Sequence, residues 1–280
     1  MPGQTLVDLH IHSYYSDGTM SPEEILHEAK KNQVGIISLT DHDKLEGIIN
    51  LMELCKNEEI LCIPGVEFDS LFNDVNVHIL GYGFDLFDED FTRFVKHCRN
   101  SLDEGSVGLI KKLEKDVPSV SLEDYAGFQY DRKLGGWKAL HYFLAKGLTG
   151  SLREGIQLYS EYGIHDADFN YPPVDEVCRA IKKAGGFPVL AHPGVVIDTE
   201  DHRLFLSTLE DLIHLGIEGI ECYYPIHSTE ITEVCLNVCR HNDLLITSGS
   251  DCHGSFGRSR IGQMQISLDK LNLGRLLSDK

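Results

Sequence analysis

Near the start of the chain, short runs rich in β-branched residues (TLVDLHIH, GIISLTDHD, ILCIPGVEF) alternate with segments whose apolar positions recur at helical spacing. The helical segments are SPEEILHEAKKNQ and the stretch from Ile48 to Asn57. A switch between strand and helix periods at this rate gives a βαβα rhythm and predicts parallel strands flanked by helices. The first helix has a defined start: Ser21 at the N-cap, Pro22 at the first helical position, and Glu23 and Glu24 where carboxylates suit the positive end of the dipole. Four further strand patterns, VNVHILGYGF, GFPVLAHPG, GIEGIECYYP and LLITSGSDCHG, bring the total to seven.

Between Phe91 and Val177 the rhythm stops. DFTRFVKHCRNSLDEGSVGLIKKLEK, WKALHYFLAKGL and SLREGIQLYSEYG all read as helices, and Tyr171-Pro172-Pro173 leads into a new helix that feeds the next strand. The predicted organisation is an α/β barrel built from residues 1–90 and 178–280, interrupted by a helical insertion at 91–177. An insertion at such a point projects over the strand ends that carry chemistry in barrels, so it is expected to act as a cap.

Composition narrows the class. A chain of 280 residues with 42% hydrophobic and 25% charged residues has the make-up of a soluble globular protein with one large core. The opening MPGQTLVDLH has no basic start and apolar run, and no segment approaches the roughly 18 unbroken apolar residues of a spanning helix. A cytoplasmic protein without a membrane partner is expected. Eight cysteines without a CxxC pair predict reduced, buried thiols, with Cys235, Cys239 and Cys252 serving packing. The formal charge of −19 disfavours long nucleic acids and favours a small substrate.

Within this frame the candidate chemistry sits at strand ends. In an extended segment His10 and His12 point the same way and can bind one metal together. Asp17, His42, Glu67, His78, His192, Asp251 and His253 lie at or near the ends of the other apolar runs. Burying such groups costs several kcal/mol each unless they find partners, and barrel strand ends converge, so a group of metal ions is the natural partner. Imidazole and carboxylate without thiolate suit Zn²⁺, Mn²⁺ or Fe²⁺ rather than a structural cysteine site. Asp41 and Asp43 are expected to orient His42 or its neighbours. Asp8 either does the same for the first strand or is solvated.

DLHIHS, TDHD, GVE, AHPG and SDCHG, in this order, resemble the signature motifs of the PHP superfamily, the polymerase and histidinol phosphatase phosphoesterases. GYGFD, the insertion and YYPIHS resemble its bacterial branch of AMP and nucleoside 3′,5′-bisphosphate phosphatases and a related 5′-to-3′ exoribonuclease. The resemblance implies a distorted (β/α)7 TIM-like barrel holding up to three divalent metals. It assigns His10, His12, Glu67 and Asp251 to one, Glu67, His78 and His192 to the second, and Asp17, His42 and His253 to the third. Such a centre can activate a bridging hydroxide for in-line attack on phosphorus. Arg258 and Arg260 are candidates to hold phosphate, and His227 to bind it or protonate the leaving group. Where that branch carries a Gly-Arg-Pro-His type element, this chain reads DRKLGGWKALHYFLAKGL. There Arg132, Lys133 and Lys138 keep positive charge, and Trp137 either stacks on a base or anchors the insertion's own core.

The expected function is a metal-dependent phosphoesterase acting on phosphomonoesters of small metabolites, nucleotides of the AMP or 3′,5′-bisphosphate type foremost. Alternatives are a 5′-to-3′ exonuclease on short RNA or DNA, a histidinol phosphatase, and a noncatalytic metal-stabilised module. An amidohydrolase would want a bridging lysine where this chain has Glu67.

Overall fold

The computed structural model describes residues 5–277; the extreme ends of the two expected barrel segments, 1–4 and 278–280, lie outside the described residues. The helix Pro22–Lys31 (α1) starts as the sequence predicts. Glu24 N–H donates to Ser21 Oγ at 3.2 Å, and Ser21 N–H donates to Glu24 Oε2 at 2.7 Å. With α2 (Glu46–Cys55) it connects β1 (Leu6–Asp8), β2 (Val34–Ile37) and β3 (Leu61–Cys62) into a parallel three-stranded sheet.

ILCIPGVEF, expected as one strand, is two. Pro64 has no N–H to offer a ladder, and the chain leaves the first sheet there. Gly65 permits the change of course, because a Cβ at that position would lie 2.0 Å from Ser38 Oγ. β4 (Gly65–Phe72) then opens a second sheet of order β4-β5-β6-β7-β8, with β5 at Val75–Tyr82, β6 at Phe187–Leu190, β7 at Gly219–Tyr223 and β8 at Leu245–Ser248. Asn73 and Asp74, with φ of 50° and 64°, make the two-residue turn that pairs Phe72 with Val75.

β5 is therefore antiparallel to β4, and also to β6, whereas β6, β7 and β8 are parallel. This corrects the expectation of seven parallel strands: a two-residue turn can only reverse the chain. Nor do the assigned strands close into one barrel. The two sheets meet along two seams, each stitched by backbone bonds. Leu9 N–H reaches Ser248 O at 2.9 Å and Asp251 N–H reaches His10 O at 2.8 Å on one side; Asp43 N–H reaches Glu67 O at 2.9 Å on the other.

Both sheets fill one interior, with Val7, Leu9, Ile36, Leu80, Tyr82, Val189 and Leu245 among its buried residues. A larger cluster lies outside them, where Ile25, Ile48 and Leu51 of α1 and α2 pack. Between β5 and β6 come α3 (Glu89–Asp116), α4 (Leu122–Gly127), α5 (Lys138–Ala145), α6 (Leu152–Glu161) and α7 (Val174–Lys183). α8 (Pro193–Val196), α9 (His202–His214) and α10 (Thr229–Asn242) connect the later strands.

α3 serves two cores. Phe91, Val95 and Cys98 on its first half pack with the outer cluster, while Leu109, Ile110 and Leu113 join Leu140, Tyr142, Phe143 and Leu158 in a separate one. Two bonds tie this helical segment to loops near the strand ends. Gly136 N–H donates to Asp17 O at 2.7 Å, and the Arg153 guanidinium donates to Phe256 O at 3.0 Å. Gly135 and Gly136, both with positive φ, admit the Phe256 ring where any Cβ at residue 135 would come within 2.5 Å of its Cβ. The eight cysteines are buried and free. No helix among the described residues is long and apolar enough to cross a membrane.

Candidate metal centre

The stretch after β1 stays extended and carries His10 and His12 to the same side, with their Nε2 atoms 3.1 Å apart. Glu67 Oε2, from β4, lies 3.1 Å from the first and 3.0 Å from the second. Asp251 Oδ1, just beyond β8, lies 3.4 and 3.2 Å from the same two nitrogens. Around this group stand the other predicted ligands. His78 Nδ1 and His192 Nε2 are 3.0 and 3.2 Å from Glu67 Oε1, and His42 Nε2 is 3.4 Å from Glu67 Oε2. His253 Nε2 sits 3.1 Å from Asp17 Oδ2, and His12 Nδ1 is 3.4 Å from Asp17 Oδ1. All nine side chains singled out in the sequence thus meet at one place.

Three groups of donor atoms each lie within 4.8 Å of one another: His10, His12, Glu67 and Asp251; His12, Asp17, His42 and His253; His42, Glu67 and His78. The set fits divalent cations on chemical grounds. Imidazole nitrogens face one another and carboxylate oxygens without enough protons to satisfy them all, and the Nδ1 atoms of His42 and His192 are buried with no hydrogen bond. Burial alone would raise the Glu67 carboxyl, yet His10, His42 and His78 hold it well below the usual carboxylate range. Burial opposes charge on His10 too, and Glu67, Glu221 and Asp251 overcome it. Without a metal, protonated imidazoles are the counter-charge of these buried carboxylates, and a divalent cation would take the place of those protons.

Two buried carboxylates escaped the sequence reading. Glu221, fully buried on β7, lies 3.1 Å from His10 Nδ1 and accepts the His192 N–H at 2.9 Å. That bond accounts for the left-handed backbone of His192, with φ of 27°. Asp69 lies two residues beyond Glu67 on β4, so it faces the same side, 3.4 Å from His78 Nε2 and 3.5 Å from His42 Nδ1. Burial would raise its carboxyl, but His78 and His42 bring it down to about 2. The signal for both was present: a carboxylate inside an apolar run, and the same two-residue spacing that marks His10 and His12.

Asp41 does not bond to His42. It accepts from Ser13 N–H at 2.8 Å, Ser13 Oγ at 2.7 Å and Ser16 Oγ at 2.6 Å, fixing the loop that carries Asp17. Asp8 is buried rather than solvated, accepting Ser250 N–H at 2.9 Å and Gly262 N–H at 2.7 Å, and burial pushes its carboxyl up to about 6. Asp43 has both carboxylate oxygens buried without a hydrogen bond, and burial, reinforced by Asp69, raises it well above the ordinary range. Tyr224 O–H donates to Asp251 Oδ2 at 2.8 Å.

A cavity of about 760 Å³ opens beside these residues, between the strand ends and the helical segment. Asp17, His42, Asp69 and His78 line one side, Trp137, Tyr159 and Phe169 another, and Arg99 of α3 projects into it. The groups expected to hold phosphate lie elsewhere. Arg258, Arg260 and Lys133 are exposed and line neither this cavity nor an adjoining one of about 700 Å³ that shares Ser16 and Arg99 with it. His227 has both ring nitrogens committed to the main chain, Nδ1 to Cys222 O at 3.1 Å and Nε2 to Gly194 N–H at 3.1 Å, which leaves none for a leaving group. Trp137 packs with the helical segment's core, and its Nε1–H donates to Tyr159 Oη at 3.0 Å.

A family model described as the PHP domain matches residues 8–184. A phosphoribosyl 1,2-cyclic phosphate 1,2-diphosphodiesterase of Eggerthella lenta is 29% identical over 90% of this chain and 95% of its own length. A 5′-3′ exoribonuclease of Haemophilus influenzae is 29% identical over 91% of this chain and 93% of its own. A 3′,5′-nucleoside bisphosphate phosphatase of Chromobacterium violaceum is 27% identical over 90% of this chain and 89% of its own. In fold, the chain is similar to a solved structure from Bifidobacterium adolescentis described as a metal-dependent phosphoesterase, with a TM-score of 0.77 and 24% identity over 94% of this chain and 93% of that one.

Proposed function

Because the chain belongs to the PHP family, we propose that it is a phosphoric ester hydrolase, a metal-dependent phosphoesterase that acts on phosphomonoesters of small metabolites, nucleotides foremost. The observation that carries this reading is the convergence of nine imidazole and carboxylate side chains, Glu67 at their centre, three of which line a cavity of about 760 Å³. Up to three divalent ions, Mn²⁺, Zn²⁺ or Fe²⁺, suit the donors. His10, His12, Glu67 and Asp251 would hold one; Glu67, His78 and His192 a second; Asp17, His42 and His253 a third. When bound, such ions supply Lewis acidity, making water nucleophilic near neutral pH and neutralising phosphoryl oxygens during in-line displacement.

The chain's own groups prepare that site. Glu221 fixes the ring of His10 and the backbone of His192 at once. Tyr224 aims Asp251, and Asp41 sets the loop that presents Asp17. Arg99, which lines the cavity, is the arginine we assign to phosphate oxygens. The segment 91–177 would act as a cap on a barrel made of 1–90 and 178–280, and the backbone bonds across both sheet seams support reading the two sheets as one distorted (β/α)7 barrel.

A phosphate-release assay on AMP, a nucleoside 3′,5′-bisphosphate, histidinol phosphate and a short 5′-phosphorylated RNA, with Mn²⁺ and after chelation, tests this reading. Release from a small nucleotide that stops on chelation is expected. No release from any member, with metal bound by elemental analysis, would sink it. A second reading, trimming of short RNA from its 5′ end, is favoured by the similarity to the H. influenzae exoribonuclease, and release of nucleotides from the RNA member alone would select it.

A further inference from the structure

Asp69 is not one of the nine converging side chains, yet it faces two of them. It stands directly opposite His78 across the β4–β5 pair, and on the same face of β4 as Glu67. His42 and His78 each lie between these two carboxylates. His42 turns Nε2 to Glu67 and Nδ1 to Asp69, at 3.4 and 3.5 Å, and His78 turns Nδ1 to Glu67 and Nε2 to Asp69, at 3.0 and 3.4 Å. A neutral ring that gives its inner nitrogen to a cation keeps one proton, on the outer nitrogen, and a buried proton of that kind needs an acceptor. The outer nitrogen of His42 is buried without a hydrogen bond as it stands. Asp69 offers one oxygen to each ring.

The Asp69 carboxylate is itself held, and the hold comes from the helical segment. Asn76 Nδ2 donates to Asp69 Oδ1 at 2.6 Å, and Asn76 N–H donates to Asp166 Oδ2 at 2.9 Å, in the short turn Asp166–Asp168 between α6 and α7. Asn76 Oδ1 also accepts Ser70 N–H at 3.1 Å. Pro172 O, just before α7, accepts from Ser70 Oγ at 2.9 Å and from Leu71 N–H at 3.0 Å. The hairpin that carries Glu67, Asp69 and His78 is thus fastened to the segment on both of its strands. We propose that Asp69 is a positioning residue of the metal centre, which takes the outer ring protons of His42 and His78 so that their inner nitrogens face the ions, and that Asn76 and Asp166 set it from the helical segment. This rests on the metal-centre reading and not on which ester is cleaved. The helical segment then does more than cover the cavity: it tunes how tightly metal is held.

The test titrates Zn²⁺ into the metal-free full chain against a chromophoric chelator. Wild type is expected to bind tightly, and Asp69→Asn, which keeps the size and loses the charge, to bind about tenfold or more weakly. Asp74→Asn removes the same charge from the exposed tip of the β4–β5 turn, beside the same cavity, at a left-handed position that Asn adopts readily, and should stay within about twofold of wild type. Asp166→Ala should cost about threefold in the wild-type background and nothing further in the Asp69→Asn background. In zinc-loaded wild type with isotope-labelled histidine, nitrogen NMR should find the ring protons on His42 Nδ1 and His78 Nε2. Protons on the opposite nitrogens, an unchanged affinity in Asp69→Asn, or an equal loss in Asp74→Asn overturns the inference alone. If circular dichroism shows that Asp69→Asn does not fold, the partly exposed Asp166→Ala decides in its place, and an unchanged affinity there overturns it. No tight binding by wild type would instead overturn the metal-centre reading, and this inference with it.

Discussion

Two cavities meet at Ser16 and Arg99 and differ in almost everything else. The first is lined by Asp17, Asp69, His42 and His78, groups set on strands and strand ends and locked by buried partners. The second is lined by cations on helices and turns, of which Arg132 lies between α4 and α5 and Lys138 opens α5. Rigid strands hold atoms to tenths of an ångström, as a multi-metal centre requires, whereas long flexible cations are placed more loosely.

The largest expected effect comes from breaking the first cavity alone. Glu67 touches His10, His12, His42, His78 and His192, so Glu67→Gln replaces a shared charge by a neutral amide at the centre of the cluster. Phosphate release should fall by about a thousandfold or more, with loss of bound metal by elemental analysis. Retention of full turnover would contradict a centre built on Glu67.

Glu221→Gln is milder. The amide can still accept the His192 N–H, but it no longer offers a charge to His10 Nδ1. Metal affinity should drop by about 10- to 100-fold, with activity recovered at high metal concentration. A variant that fails equally at saturating metal would show that Glu221 supports folding rather than the ligand.

The two cavities also differ in how far the sequence revealed them. His10, His12, Glu67, Asp251 and the rest were legible because a charged group inside or beside an apolar run is costly without a partner, and strand ends have few places to go. Glu221 obeys the same rule and could have been found; Asp69 follows from the two-residue period of β4. The α1 cap and the helical segment were legible from local pattern. The reversal of β5 was signalled by Asn73-Asp74 but masked by the surrounding βαβα rhythm. Arg99 could not be found in this way. It lies mid-helix in a 28-residue α3 whose charged residues look alike in sequence, and only the packing of that helix across two cores aims it at the cavities. Arg258 and Arg260 line neither cavity, since proximity in sequence to Asp251 does not fix which way a loop side chain points.

The smallest expected effect concerns the wall that the helical segment contributes to the first cavity. Trp137 sits in that segment's apolar cluster and donates its Nε1–H to Tyr159 Oη, while Ser106 Oγ lies 2.8 Å from the same oxygen. Trp137→Phe keeps an aromatic face and removes the donor, and Tyr159 retains Ser106 as a partner, so nothing buried is left unpaired. The cost should be about 1 kcal/mol, the net worth of one hydrogen bond, read as a fall of a few degrees in Tm. If Trp137 anchors the segment, KM for a nucleotide moves by less than about twofold, in line with a change confined to packing. If the indole also stacks on a base, the smaller ring weakens that contact and KM rises in addition to the fall in Tm. KM is therefore the readout that separates the two roles. A Tm loss without a KM change is the outcome expected of a residue that anchors the segment.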